Sequence, residues 1–256
     1  MKLSAKVLVL VAADIIHRCF NDDFSPDCAR KMNKLFTSIF ALAVSSLTVA
    51  SLAQDIKGDA KVGETKNAMC IGCHGIKGYQ SSFPEVYKVP MISGQSAGYI
   101  SAALHEYKKG ERKYPTMRGI AETLSDQDIA DLAAYYSTHG LVAGAELPAK
   151  PAKEPSVEVQ ALLNKANCAS CHGANFSKPI DPSYPKIAGQ HADYLYVALK
   201  AYKTDNGNNP NAKVGRSHPI MGGMAKQYSN AELKAMSNYL SSVEGDLKVV
   251  PESRFR

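Results

Sequence analysis

Apolar residues in this chain recur at three- and four-residue intervals, and no stretch sustains an alternation of period two. Ile129, Leu132, Ala133 and Tyr136 fall on one helical face, and Leu233, Met236 and Leu240 repeat that spacing further on. Each of these segments opens on a capping box, Ser125 with Asp128 and Ser229 with Glu232, where side chains satisfy backbone N–H groups that have no helical partner. The same periodicity predicts middle helices over 96–108 and 191–203, and first helices over 59–69 and 156–166 that run into paired cysteines. The predicted fold class is all-α.

One uncharged run has a different meaning. Leu35 to Ala53 follows the basic residues Lys31 and Lys34 and ends on small residues, Ser51 and Ala53, at the −3 and −1 places of a cut before Gln54. Nineteen residues could just span a bilayer, but the Ser and Thr content and the small-residue ending favour a cleaved signal peptide. We therefore assign 1–53 to a leader, with 32–53 as signal peptide and 1–31 as an upstream extension behind a second start, Met32. Cys19 does not read as a lipidation site, because Arg18 stands where a small residue is expected. After export the chain keeps four cysteines, Cys70, Cys73, Cys168 and Cys171.

These cysteines belong to an internal repeat. "PMISGQSAGYISAALHEYK" (90–108) reads against "PKIAGQHADYLYVALKAYK" (185–203), matching Pro90, Gly94, Gln95, Tyr99, Tyr107 and Lys108 with Pro185, Gly189, Gln190, Tyr194, Tyr202 and Lys203. "PTMRGIAETLSDQDIADLAAYY" (115–136) reads against "PIMGGMAKQYSNAELKAMSNYL" (219–240), and "CIGCH" and "CASCH" stand ahead of these blocks in the same order. A Pro/Ala/Lys-rich run lies between the copies. The predicted organisation is a first domain over 54–140, a linker over 141–156 and a second domain over 157–256.

Cysteines at i and i+3 on a helical turn present both sulfurs on one face. They can add to the two vinyl groups on a haem edge, and the histidine that follows, His74 or His172, then lies under the ring to bind iron. The rivals fit less well. A thioredoxin-like pair wants a βαβ context, and four-cysteine zinc sites usually separate their pairs by about 15–20 residues, whereas these pairs sit in separate copies of a repeat. A disulfide within C-x-x-C would be strained.

The sixth iron ligand separates a carrier from an oxygen or peroxide chemist. A Met thioether closes the site and raises the reduction potential. Pro115-Thr-Met117 overlays Pro219-Ile-Met221, so Met117 and Met221 are the candidates, in segments read as loops. Met224 falls opposite Ile120 and reads as core or haem wall. Met69 and Met91 read as core packing, Met91 because it aligns with Lys186.

Two C-x-x-C-H modules, each with a P-x-x-x-G-Q block and a P-x-M segment, joined by a Pro/Ala linker behind a signal peptide, resemble the dihaem cytochrome c4 family over essentially all of 54–256. The resemblance implies two tandem cytochrome c-like helical domains facing each other about a pseudo-twofold axis, with two covalently bound haem c groups. Cys70 and Cys73 would attach one and Cys168 and Cys171 the other, with axial pairs His74–Met117 and His172–Met221. Pro90 and Pro185 would orient the histidines through their carbonyls. The implied role is a periplasmic electron carrier, soluble or loosely membrane-associated, fed by a quinol:cytochrome c reductase and drained by a terminal oxidase or reductase. A cytochrome subunit of a larger dehydrogenase is the alternative, and a dihaem peroxidase or thiosulfate dehydrogenase is a further one. An enzyme of that kind needs an iron without Met, so we expect no catalytic residues. The copies also differ: Gly222 stands against Arg118, and the Tyr202–Pro219 segment is longer than Tyr107–Pro115.

Charge adds one exclusion. The whole chain is formally +6, and residues 1–53 hold six Lys/Arg against four Asp/Glu, leaving +4 beyond them. Up to four haem propionates would bring the remainder near zero. This is no nucleic-acid surface.

Overall fold

The computed structural model describes residues 56–205 and 211–252; the leader and its cleavage site lie outside them. Among the described residues the chain is all-α apart from one ladder of two-residue strands, β1 (Gln80–Ser81) and β2 (Tyr87–Lys88), and isolated bridges. Among the described residues no helix is long and apolar enough to cross a membrane.

The first half contains α1 (Ala60–Lys66), α2 (Ala68–His74), α3 (Ala97–Lys109), α4 (Pro115–Glu122) and α5 (Asp126–Thr138). The second half repeats the order with α6 (Val157–Ala166), α7 (Cys168–His172), α8 (Ala192–Thr204), α9 (Pro219–Ala225) and α10 (Asn230–Ser242). Both predicted capping boxes form, at Ser125–Asp128 and Ser229–Glu232. The faces expected to be apolar are buried: Ile129, Leu132, Ala133 and Tyr136 on α5, and Leu233, Met236 and Leu240 on α10.

Two expectations need correction. The first helix does not run unbroken from 59 to 69; it stops at Lys66, and buried Asn67 caps a separate turn whose carbonyl accepts from both Cys70 N–H and Ile71 N–H. The P-x-M segments are not loops. Proline stands at the first helical position in α4 and α9, where its missing N–H costs nothing and its fixed φ starts the helix.

Close helix crossing is set by glycine. Gly63 on α1 meets α5 so closely that a Cβ there would lie 2.1 Å from the Asp131 carbonyl oxygen. Asp131, itself buried, accepts from Asp59 N–H and Gln127 and pairs with Lys66 at 2.8 Å, tying the start of α1 to α5.

The P-x-x-x-G-Q blocks join both levels of structure. Gly94 and Gly189 take φ of 82° and 73°, and each donates its N–H to the last helix of its own half, at Tyr136 O and Leu240 O. The neighbouring glutamines reach across to the other half. Gln95 Oε1 accepts from Lys186 N–H (2.9 Å) while its Nε2 donates to Lys186 O (3.0 Å). Gln190 does the same with Met91, at 3.0 and 2.9 Å. Met91 and Lys186 occupy equivalent places in the repeat, so the two glutamine clamps are related by a pseudo-twofold. A backbone bridge between Arg112 and Arg216, again equivalent residues, lies on the same relation.

Candidate functional site

Helix α2 carries Cys70, Cys73 and His74, and α7 carries Cys168, Cys171 and His172. Each short helix ends at a glycine just past the histidine, Gly75 or Gly173, and Gly173 has φ 85°. A cavity of about 730 Å³ runs through both halves and is lined by all six of these residues together with Met117 and Met221. All eight sequence-predicted site residues therefore open on one space. Its walls are mostly apolar, with Ile100, Leu104 and Leu132 in the first half and Leu195, Leu199 and Leu233 in the second.

The histidines are held alike. His74 Nδ1 lies 2.7 Å from the Pro90 carbonyl and His172 Nδ1 lies 2.9 Å from that of Pro185. A carbonyl only accepts, so Nδ1 carries the proton and Nε2 keeps a free lone pair. Burial pushes both imidazoles below the usual histidine value, against the smaller opposing effect of the carbonyl. Both are neutral at pH 7 and able to bind a metal. Burial likewise pushes the Cys70 and Cys168 thiols up to about 11.

These features decide between the candidate chemistries. Among the described residues no three His, Cys, Asp or Glu side chains come together to hold a metal ion. What the cavity offers in each half is two thiols, one imidazole with Nε2 open, one thioether and apolar walls, a donor set that fits covalent haem. The buried Tyr228 hydroxyl, which has no hydrogen-bond partner among the described residues, belongs to a side chain that lines the same space.

The two methionines sit on first turns of equivalent helices but are braced differently. His218 caps α9, its Nδ1 accepting from Met221 N–H at 3.2 Å. Tyr114 precedes α4 without a side-chain cap, its hydroxyl bonding instead to Ser81 at 2.9 Å. Met224 is half-buried, packs against the Leu163–Leu233–Met236 cluster and lines the cavity, as its wall role required. Met69 does not pack in a core: it is 58% exposed and lines the cavity.

Sequence reasoning took Gln95 and Gln190 only as marks of the repeat and passed over Arg112 and Arg216. The available signal was an arginine three residues before the proline in both copies, "RKYP" and "RSHP". Both side chains are buried at the junction of the halves and line the cavity. Arg112 lies over Tyr99 and Tyr107, and Arg216 over Tyr194 and Tyr202.

Comparison with known proteins agrees with this geometry. The cytochrome c family model matches residues 63–139 and again 156–244. The cytochrome c4 of Stutzerimonas stutzeri is 30% identical over 83% of this chain and all of its own length. A "thiosulfate dehydrogenase electron acceptor" of Stutzerimonas stutzeri is 29% identical over 78% of this chain and 92% of its own. The crystal structure of reduced recombinant cytochrome c4 from Pseudomonas stutzeri superposes with a TM-score of 0.51 at 28% identity, covering 73% of this chain and all of that one. The chain belongs to the cytochrome c family, and within it to the dihaem cytochromes c4. It is a c-type cytochrome of electron transport with two covalently bound haem c groups.

Proposed function

We propose that this chain is an exported, periplasmic carrier that moves single electrons between respiratory proteins and makes no bonds in a substrate. In this reading 1–53 is removed, 54–140 and 157–256 are the two haem domains, and 141–156 joins them. Cys70 and Cys73 attach one haem and Cys168 and Cys171 the other. His74 with Met117, and His172 with Met221, would hold the two irons. Haem supplies the one-electron couple; the protein supplies fixed ligands and an apolar wall.

One observation carries the proposal. In each half an imidazole locked by a proline carbonyl, with Nε2 open, shares a cavity with a methionine on the first turn of a proline-started helix. A site filled on both sides by protein has no place for a reactant, and a Met sulfur favours the reduced iron. By resemblance to the cytochrome c4 family, its donor is a quinol:cytochrome c reductase and its acceptor a terminal oxidase or reductase. Nothing in the charge pattern favours nucleic acid.

The test is spectroscopic. Met221→Leu should abolish one of two weak charge-transfer bands from ferric iron bound to Met sulfur, and Met224→Leu should leave both. The reverse result, or binding of carbon monoxide by the unaltered reduced protein at neutral pH, overturns the assignment. A second reading has specific support: a relative of similar length is named as the electron acceptor of a thiosulfate dehydrogenase. Reduction of this protein by a purified sulfur-compound dehydrogenase, faster than by a quinol oxidising complex, would select that donor.

A further inference from the structure

Each half's last helix is strapped by a segment from outside that half. Tyr135 on α5 and Tyr239 on α10 are equivalent in the repeat. Tyr239 donates its hydroxyl to the Lys153 carbonyl, in the segment that joins the halves, at 3.0 Å. Tyr135 donates to Glu252 Oε1, in the tail beyond the second half's last helix, at 2.7 Å. The tail reaches that point along the first half. Lys248 N–H donates to the Ser93 carbonyl at 3.1 Å, and Val250 lies over Gly140, where a Cβ would collide with it.

Glu252 ends where a loose tail would not reach. Its side chain is 15% exposed, and the oxygen that takes the Tyr135 hydroxyl also accepts from Asn67 Nδ2 at 2.7 Å. His139 Nε2 lies 4.0 Å away, with its Nδ1 beside Ser93 Oγ at 2.9 Å. Asn67 is fully buried and is the residue at which the first helix breaks. Its carbonyl accepts from Cys70 N–H and Ile71 N–H and so starts α2, which carries both cysteines and His74. The second half has no such break. There α6 runs on to Ala166, and Lys165, the counterpart of Asn67 in the C-x-x-C-H register, lies over the Tyr228 ring instead. Bonds to a charged acceptor are roughly twice as strong as neutral ones, so an amide and a hydroxyl that meet on one carboxylate oxygen fix each other's place.

We propose that Glu252 is a positioning residue for the first half's haem-attachment helix. It seats α2 through Asn67, so the tail of the second half governs how firmly the first half grips its iron. Glu252 acts through Asn67 and Tyr135 rather than on the iron, and the inference rests on the roles proposed above for Cys70, Cys73 and His74.

Its test is hydrogen exchange of the purified holoprotein, followed by mass spectrometry of peptides from 60–75 and from 157–173. Glu252→Ala should speed exchange in 60–75 by roughly tenfold, the order expected for hydrogen bonds to a charged group, and leave 157–173 unchanged. Glu252→Gln, which keeps an acceptor oxygen, should restore most of the protection. Tyr135→Phe, which removes one donor, should speed the same peptide by roughly threefold. Imidazole should displace the first half's Met ligand from the ferric Glu252→Ala protein at about tenfold lower concentration than from the parent. That displacement is read as loss of the band that Met117→Leu abolishes. Unchanged exchange in 60–75, equal acceleration in both halves, a Gln variant as fast as the Ala one, or unchanged displacement by imidazole overturns the proposal. Should Glu252→Ala not fold, Tyr135→Phe decides by the same comparison of peptides. A parent protein with no Met–iron band would defeat the carrier reading, and exchange alone would then decide this inference.

Discussion

Replacing Gln95 with Met tests whether the two halves are one mechanical unit. The side chain is 3% exposed, and its amide holds Lys186 N–H at 2.9 Å and Lys186 O at 3.0 Å, besides accepting from Ser96 N–H. Methionine preserves length and apolar bulk but can neither donate to that carbonyl nor replace the acceptor. Each buried backbone group left unpaired costs about 1–3 kcal/mol. Two such groups on Lys186 give roughly 2–4 kcal/mol, allowing for partial entry of water. Gln190→Met should cost about the same through Met91, because the second clamp repeats the first. The chain has no Trp, so unfolding is best followed by circular dichroism and haem absorbance in guanidinium chloride. With a slope of about 5 kcal/mol/M, the midpoint should fall by roughly 0.6 M. The double variant should cost less than the sum, since the clamps tie one junction. Its single transition should split into two as the halves come apart before they melt. A Gln95→Met protein within about 0.5 kcal/mol of the parent, with an unchanged single transition, would refute the claim that these amides hold the halves in register.

Three further expectations follow from individual contacts. Gly63→Val would place a Cβ 2.1 Å from the Asp131 carbonyl and 2.8 Å from Tyr135 Cβ; overpacking of this kind should cost about 1–3 kcal/mol or more, read as a lower melting temperature of the first half. His218→Ala removes the cap on α9 at Met221 N–H, which should cost on the order of 1 kcal/mol and weaken only the second half's Met–iron band. Burial pushes the Asp131 carboxyl up, but bonds from Lys66, Asp59 N–H and Gln127 outweigh it and hold the group below its usual value. A depressed carboxylate contributes stability that is complete above its unfolded value of about 3.9 and is lost as pH falls through the folded value. Asp131→Asn should therefore lower stability at pH 7 and flatten the acid limb below about pH 4, measured by denaturant midpoints across pH.

How much of this was legible in the sequence depended on the range of the interaction concerned. Capping boxes and helical faces are local: Ser125 and Asp128 are three residues apart, and both predicted boxes formed. The cysteine, histidine and methionine residues proposed to hold haem each sit in a motif written twice, and all eight line one cavity. What escaped was of two kinds. Asn67 breaks the first helix because it is buried and reaches Glu252, a contact across 185 residues that no local pattern encodes. The Gly and Pro content of the P-x-M segments suggests loops, yet a proline at the first helical position starts a helix.

The glutamines and arginines were visible as repeat marks, but their meaning needed the other half. A residue that satisfies a group in the opposite copy looks, in one dimension, like any matched polar residue. The repeat has a physical consequence of its own. The pseudo-twofold makes some junction contacts occur in matched pairs, Gln95 with Gln190 and Arg112 with Arg216, beside unmatched ones such as Lys88–Asp193. Differences between the copies then stand out against that symmetry. Glu106 against Ala201 and Tyr114 against His218 both fall beside the cavity, while the junction clamps stay matched.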